Sequence, residues 1–219
     1  KGDPDEAIES YKQAIKIKPD YTEAYNNMGN VLQHTGDPKA ALYCYKQSIK
    51  INHSDAEVYN NMGSALQDNG DPGAAIDSYK QALKIKPDYA EAYSNMGNTL
   101  KSEGDLKAAE ESYRQAIALK PDYAPAYSGL SMTLKDKGDL GKALTFCKKS
   151  IVLNAKSSES YLNMGIILNA IGDVDSALES IEKAIHIDPK SKASRLLLAV
   201  LKSKKVREKI KISVDNISA

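Results

Sequence analysis

The dipeptide Gly-Asp begins at positions 2, 36, 70, 104, 138 and 172, a spacing of 34 residues with no insertion or deletion. A period of that length marks one supersecondary unit repeated along the chain, each unit burying its apolar face on its neighbours. The pair itself shows what the unit is. Each Gly follows an apolar-periodic segment and suits the left-handed residue that closes a helix. Each Asp is placed to cap the next helix by accepting from exposed backbone N–H groups. Pro4, Pro38 and Pro72 then fall at the first helical position, where a missing N–H costs nothing. The unit is predicted to be two helices joined by a tight turn, and the chain all-α.

The joints between units repeat as well. Lys-Pro-Asp-Tyr starts at Lys18, Lys86 and Lys120, and Pro189 stands in the same place after the fifth unit. Asp20 with Glu23, Ser54 with Glu57 and Asp88 with Glu91 have the spacing of a capping box at the start of each first helix. Within that helix Tyr25, Met28, Gly29 and Leu32 form one apolar stripe. Ala41, Leu42, Tyr45 and Ile49 form the matching stripe of the second helix. Gly29, Gly63, Gly97 and Gly165 lie mid-helix, each at a cost of about 1 kcal/mol relative to Ala, which implies close approach of the paired helix. No hairpin buries such stripes alone, so the units must stack into a solenoid.

Tyr59, Met62, Gly63, Leu66, Ala75, Tyr79, Ala82 and Pro87 fill the pattern of the tetratricopeptide repeat, which the chain resembles throughout. The resemblance implies a right-handed α-solenoid of stacked antiparallel helix pairs. It divides the chain into a half repeat (1–21), five full repeats (22–191), and a capping helix with a basic tail (192–219). Ser131 for the mid-helix Gly, Cys147 for the aromatic, and His53 and Ala155 for prolines are departures that predict looser packing around repeat four.

Tyr-Asn-Asn-Met-Gly occurs at Tyr25 and Tyr59, Tyr-Ser-Asn-Met-Gly at Tyr93, and Tyr-Leu-Asn-Met-Gly at Tyr161. At about 100° per residue the middle asparagine points away from the packed stripe. Asn27, Asn61, Asn95 and Asn163 therefore form a row, broken at Gly129. An amide offers two donors and an acceptor, matching the N–H and C=O of an extended peptide of any sequence. The row is similar to the asparagine ladder of the repeat region of O-linked N-acetylglucosamine transferases, and Ser94–Lys101 (SNMGNTLK) resembles it most. That resemblance implies peptide binding by the four ladder residues along the concave side. Asn26, Asn30, Asn60, Asn98 and Lys101 extend the same face. Repeats four and five turn apolar there, through Met132, Leu162 and Ile166, giving a second zone for hydrophobic side chains unless the terminal helix covers it.

Composition narrows the rest. The chain has no apolar run long enough to span a bilayer and opens without a secretory signal, and the reading is a cytoplasmic protein. It starts inside a repeat without Met, as a piece of a longer protein would. Cys44 and Cys147 read as free, buried thiols in a reducing compartment. His34, His53 and His186 show no ligand or triad spacing, and no phosphate loop, nucleophile elbow, metal or cofactor site is spelled out, so the chain reads as no enzyme. Lys and Arg are absent from the positions that clamp acidic chaperone tails, which predicts no binding of them. Nucleic acid is not expected either, because no aromatic interleaves the basic cluster Lys202–Lys205. From Lys190 to Lys211 the net charge is +8, and the remainder carries −7, a polarity that permits head-to-tail self-association. Lys209–Asp215 alternates like a strand, read either as a docked extended peptide or as a disordered end. Three functions stay open: a free-standing scaffold binding an extended peptide or partner protein, the substrate-recognition arm of a larger glycosyltransferase, sulfotransferase or methyltransferase, and a ligand-free spacer.

Overall fold

The computed structural model describes the backbone of residues 3–217 and the side chains of residues 3–206. Among these residues there are twelve α-helices and no strand. They are α1 (Pro4–Ile17), α2 (Thr22–His34), α3 (Pro38–Ile51), α4 (Ala56–Asp68), α5 (Pro72–Ile85) and α6 (Ala90–Ser102). Then follow α7 (Leu106–Leu119), α8 (Ala124–Asp136), α9 (Leu140–Leu153), α10 (Ser158–Ile171), α11 (Val174–Ile187) and α12 (Lys192–Ile217). The chain forms two compact units, residues 1–120 and residues 121–219. In the first, α2, α4 and α6 pair with α3, α5 and α7, and each pair stacks on the next. In the second, α8 pairs with α9 and α10 with α11, and α12 packs on α11.

The repeated Gly-Asp acts as its chemistry demands. The five turn glycines from Gly36 to Gly172 have φ between 82 and 98°, the left-handed region where a Cβ is strained. The aspartates that follow cap the second helices. Asp37 Oδ1 accepts from the Ala40 N–H at 3.0 Å, and Asp105 Oδ1 from that of Ala108 at 3.0 Å. The Asp139 carboxyl is held below its ordinary range, chiefly by Lys142, and that of Asp173 by Ser176. A carboxyl with a lowered folded pKa stabilises above its unfolded pKa and loses that contribution as pH falls through the folded one. Asp139→Ala and Asp173→Ala should each lower the melting temperature at pH 7, with the difference from the parent closing in melts near pH 3.

The capping boxes do not form. Residues 20, 54 and 88 lie in the turn, and the helices begin two residues later, at Thr22, Ala56 and Ala90. Each Glu consequently falls at the second helical position, one short of where it would reach back to the cap. Tyr21 and Tyr89 are the N-caps of α2 and α6 and make no side-chain cap bond, whereas Asp55 caps α4. Glu91 instead accepts from Lys120 Nζ at 2.8 Å, which lowers its pKa.

The mid-helix glycines are contact points. A Cβ on Gly29 would lie 2.6 Å from the Tyr45 ring, and one on Gly63 2.6 Å from the Tyr79 ring. Repeat four solves the same contact differently, and the expected loosening is absent. Ser131 and Cys147 are both fully buried, since the extra atoms of serine sit opposite a side chain much smaller than tyrosine. The terminal segment also departs from expectation. Its backbone is helical through Ile217, so the alternation in Lys209–Asp215 is not expressed as a strand. A lone strand would leave its N–H and C=O groups unpaired, and a helix pairs its own.

Candidate interaction surface

In the first unit the asparagines are joined into a chain of hydrogen bonds across α2, α4 and α6. Asn95 Nδ2 donates to Asn60 Oδ1 at 3.0 Å, Asn60 Nδ2 to Asn61 Oδ1 at 3.4 Å, and Asn61 Nδ2 to Asn26 Oδ1 at 3.2 Å. Asn61 and Asn95 thus each donate to the residue 35 positions earlier and keep one N–H. Asn27 is exposed, and Asn61 and Asn95 are half-buried. Asn30 and Asn98 serve packing, because their Oδ1 atoms accept from the hydroxyls of Tyr45 and Tyr113 at 2.7 and 2.6 Å. Lys101 lies half-buried, one turn beyond Asn98 on α6. Sequence reasoning missed these cross-repeat bonds. The signal for them was the doublet Asn-Asn, whose first member supplies the acceptor for the next repeat's second member.

The second unit is built differently at the same positions. Asn163 is only 7% exposed, and its Nδ2 donates to Ser128 Oγ at 3.0 Å. The expectation that it points into solvent like Asn27 therefore fails, and Leu162 beside it stands where earlier repeats have Asn26 and Asn60. Leu162 and Ile166 are half-buried on α10, and Met132 is half-buried on α8.

Sequence-family models described as TPR repeat or tetratricopeptide repeat match residues 1–36, 20–88, 54–122, 95–158 and 158–191. The chain belongs to the tetratricopeptide-repeat family. No curated protein matches it. Among solved structures it is similar to MamA, at 28% identity and a TM-score of 0.62 over 74% of this chain and 95% of that one. It is also similar to PilW, a type IV pilus biogenesis factor, at 24% identity and a TM-score of 0.79, covering 90% and 91%. YrrB, described as a repeat protein with an unusual peptide-binding site, aligns at 22% identity and a TM-score of 0.62, covering 90% and 99%.

Other chemistry is sparse on this tetratricopeptide-repeat chain. Among the described residues no group of three His, Cys, Asp or Glu side chains could hold a metal ion. None of the described helices is long and apolar enough to cross a membrane. Cys44 and Cys147 are free and buried, as expected. Burial pushes the Cys44 thiol up to about 11, and Cys147 likewise to about 11 against a weaker opposing bond from Ser131.

Proposed function

We propose that this repeat chain is a protein-interaction scaffold whose first-unit face, carried by α2, α4 and α6, holds an extended polypeptide. Asn27, Asn61 and Asn95 are the holding residues. The observation that supports this reading is the chain of amide bonds from Asn95 to Asn26. It fixes the orientation of Asn61 and Asn95 before any ligand arrives and leaves each with an N–H and acceptor capacity directed to a peptide. Preorganised groups lose less freedom on binding. Asn30 and Asn98 position tyrosines, and Asn163 has no part in the grip. The same face would serve unchanged as the substrate-holding arm of a larger transferase, as the Ser94–Lys101 resemblance implies.

Each amide contributes about 0.5–1.5 kcal/mol. Changing Asn27, Asn61 and Asn95 together to Ala should weaken capture of an unstructured polypeptide by about 10- to 1,000-fold. Circular dichroism checks that the helices remain. Equal capture by a folded triple variant would leave the amides as structural links between repeats and nothing more.

A further inference from the structure

The terminal helix covers the apolar zone of the second unit only in part and extends it: Leu162 packs against a core that includes Leu201 of α12, yet stays half-buried. α12 sits in the register of a sixth first helix. Ser194 and Leu201 are fully buried, as are Ser160 and Ile167, 34 residues earlier. Lys204 Nζ donates to Asn169 Oδ1 at 3.2 Å, the same 35-residue step that joins Asn61 to Asn26. In this register Leu196 and Val200 occupy the places of Leu162 and Ile166. They are 69% and 53% exposed. Leu196, Val200 and Lys204 recur every four residues, so α12 presents two aliphatic side chains and then an ammonium along one stripe. Lys204 has no carboxylate partner among the described residues.

Two occupants from this protein itself are disfavoured by geometry. Residues 192–217 do not fold back over the stripe, because α12 is one continuous helix of 26 residues, about 39 Å long. A second copy stacking its α1 on α12 would set Tyr11 against Ala199, which replaces the glycine of earlier repeats. In those repeats a Cβ would stand 2.6 to 2.9 Å from the tyrosine ring. The charge around the stripe selects the remaining partner. Lys192–Val206 carries five basic residues and no acidic one; Lys202 and Lys205 pair with Glu182 and Asp175 of α11, which leaves Lys192, Arg195 and Lys204 without a carboxylate partner among the described residues.

We propose that Leu162, Ile166, Leu196 and Val200 with Lys204 form a docking site for an acidic, amphipathic polypeptide segment. Its aliphatic or aromatic side chains lie on the leucines, isoleucine and valine, and a side-chain carboxylate meets Lys204. This site is separate from the amide face of the first unit and does not depend on it.

A fluorescein-labelled 14-residue probe alternating Leu or Phe with Glu or Asp tests this by fluorescence polarisation with the full chain. Binding should weaken at least tenfold for Leu196→Ser/Val200→Ser, and for Lys204→Glu. The Lys204→Glu chain should instead gain affinity for a probe with Lys in place of its acids, which shows that the variant is folded. The triple Asn27, Asn61 and Asn95 variant should bind the acidic probe unchanged, so failure of the amide reading leaves this one standing. Equal binding of acidic and basic probes by the parent would overturn the proposal. So would capture by phosphatidylserine vesicles with no probe binding, which would make the stripe a lipid contact. A doubled mass in sedimentation, abolished by Leu196→Ser/Val200→Ser, would overturn it in favour of a second copy.

Discussion

Gly63→Ser should destabilise the first unit by about 1–3 kcal/mol, and that cost should shrink or vanish in a chain that already carries Tyr79→Cys. Gly63 leaves room for the Tyr79 ring, and any Cβ there comes within 2.6 Å of it. The helix-propensity gain from removing a mid-helix glycine is below about 1 kcal/mol and does not offset an overpacked ring. Tyr79→Cys alone removes a fully buried ring and should cost about 3–5 kcal/mol through the cavity it leaves. Repeat four already carries the combined solution, with Ser131 and Cys147 both fully buried. The double variant should therefore be more stable than the sum of the singles by more than about 1 kcal/mol. Urea unfolding followed by circular dichroism reads the cycle. Gly63→Ser combined with Tyr113→Cys, whose ring faces Gly97 instead, should be nearly additive. Additivity in the Gly63–Tyr79 cycle would mean that the two positions do not share space in solution.

That pairing was half legible in the sequence. The glycine and tyrosine recur at fixed spacing, so close approach followed from period and propensity. What substitutes for it did not, because Ser131 and Cys147 read singly as losses and only together as a conserved volume. The capping boxes failed for a related reason. Spacing fixes which residues are near a helix start but not which of them begins it. Each helix begins two residues after the Asp or Ser that would open the box, and the Glu lands where it cannot close it.

The ladder shows where reading a single helix stops. A helical wheel places Asn27, Asn61, Asn95 and Asn163 on one face, and it treats them as equivalent. Their environments differ because each is set by the neighbouring repeat. Asn26, Asn60 and Ser128 supply acceptors, and Asn163 is buried where Asn27 is exposed and Asn61 and Asn95 are half-buried. The stripe of Leu196 and Val200 was visible only once α12 was seen to hold the register of a first helix. Its sequence breaks the Tyr-x-x-Met-Gly signature with Arg195, Leu198 and Ala199, which left the helix looking like a cap alone.

Raising the pH through about 11 should unfold the chain. Burial pushes the Cys44 and Cys147 thiols up to about 11. It pushes the Tyr79 hydroxyl up to about 12, against hydrogen bonds from Thr99 and Ser64, and raises Tyr45 further still. A group whose folded pKa is raised gives stability that is complete below its unfolded pKa and is lost as pH climbs through the folded value. Between about pH 9 and pH 12 each such thiol or phenol therefore withdraws up to roughly 3 kcal/mol. Four groups acting together exceed a fair share of the 5–15 kcal/mol that holds a typical domain. Circular dichroism across that range should show cooperative loss of helix. Tyr79→Phe keeps the ring against Gly63 and removes one ionising group, so its alkaline midpoint should move upward even if its neutral-pH stability falls with the lost hydroxyl bonds. An alkaline midpoint that Tyr79→Phe leaves in place would mean that the Tyr79 hydroxyl ionises without unfolding the chain, and that its packed contact with Gly63 is not closed.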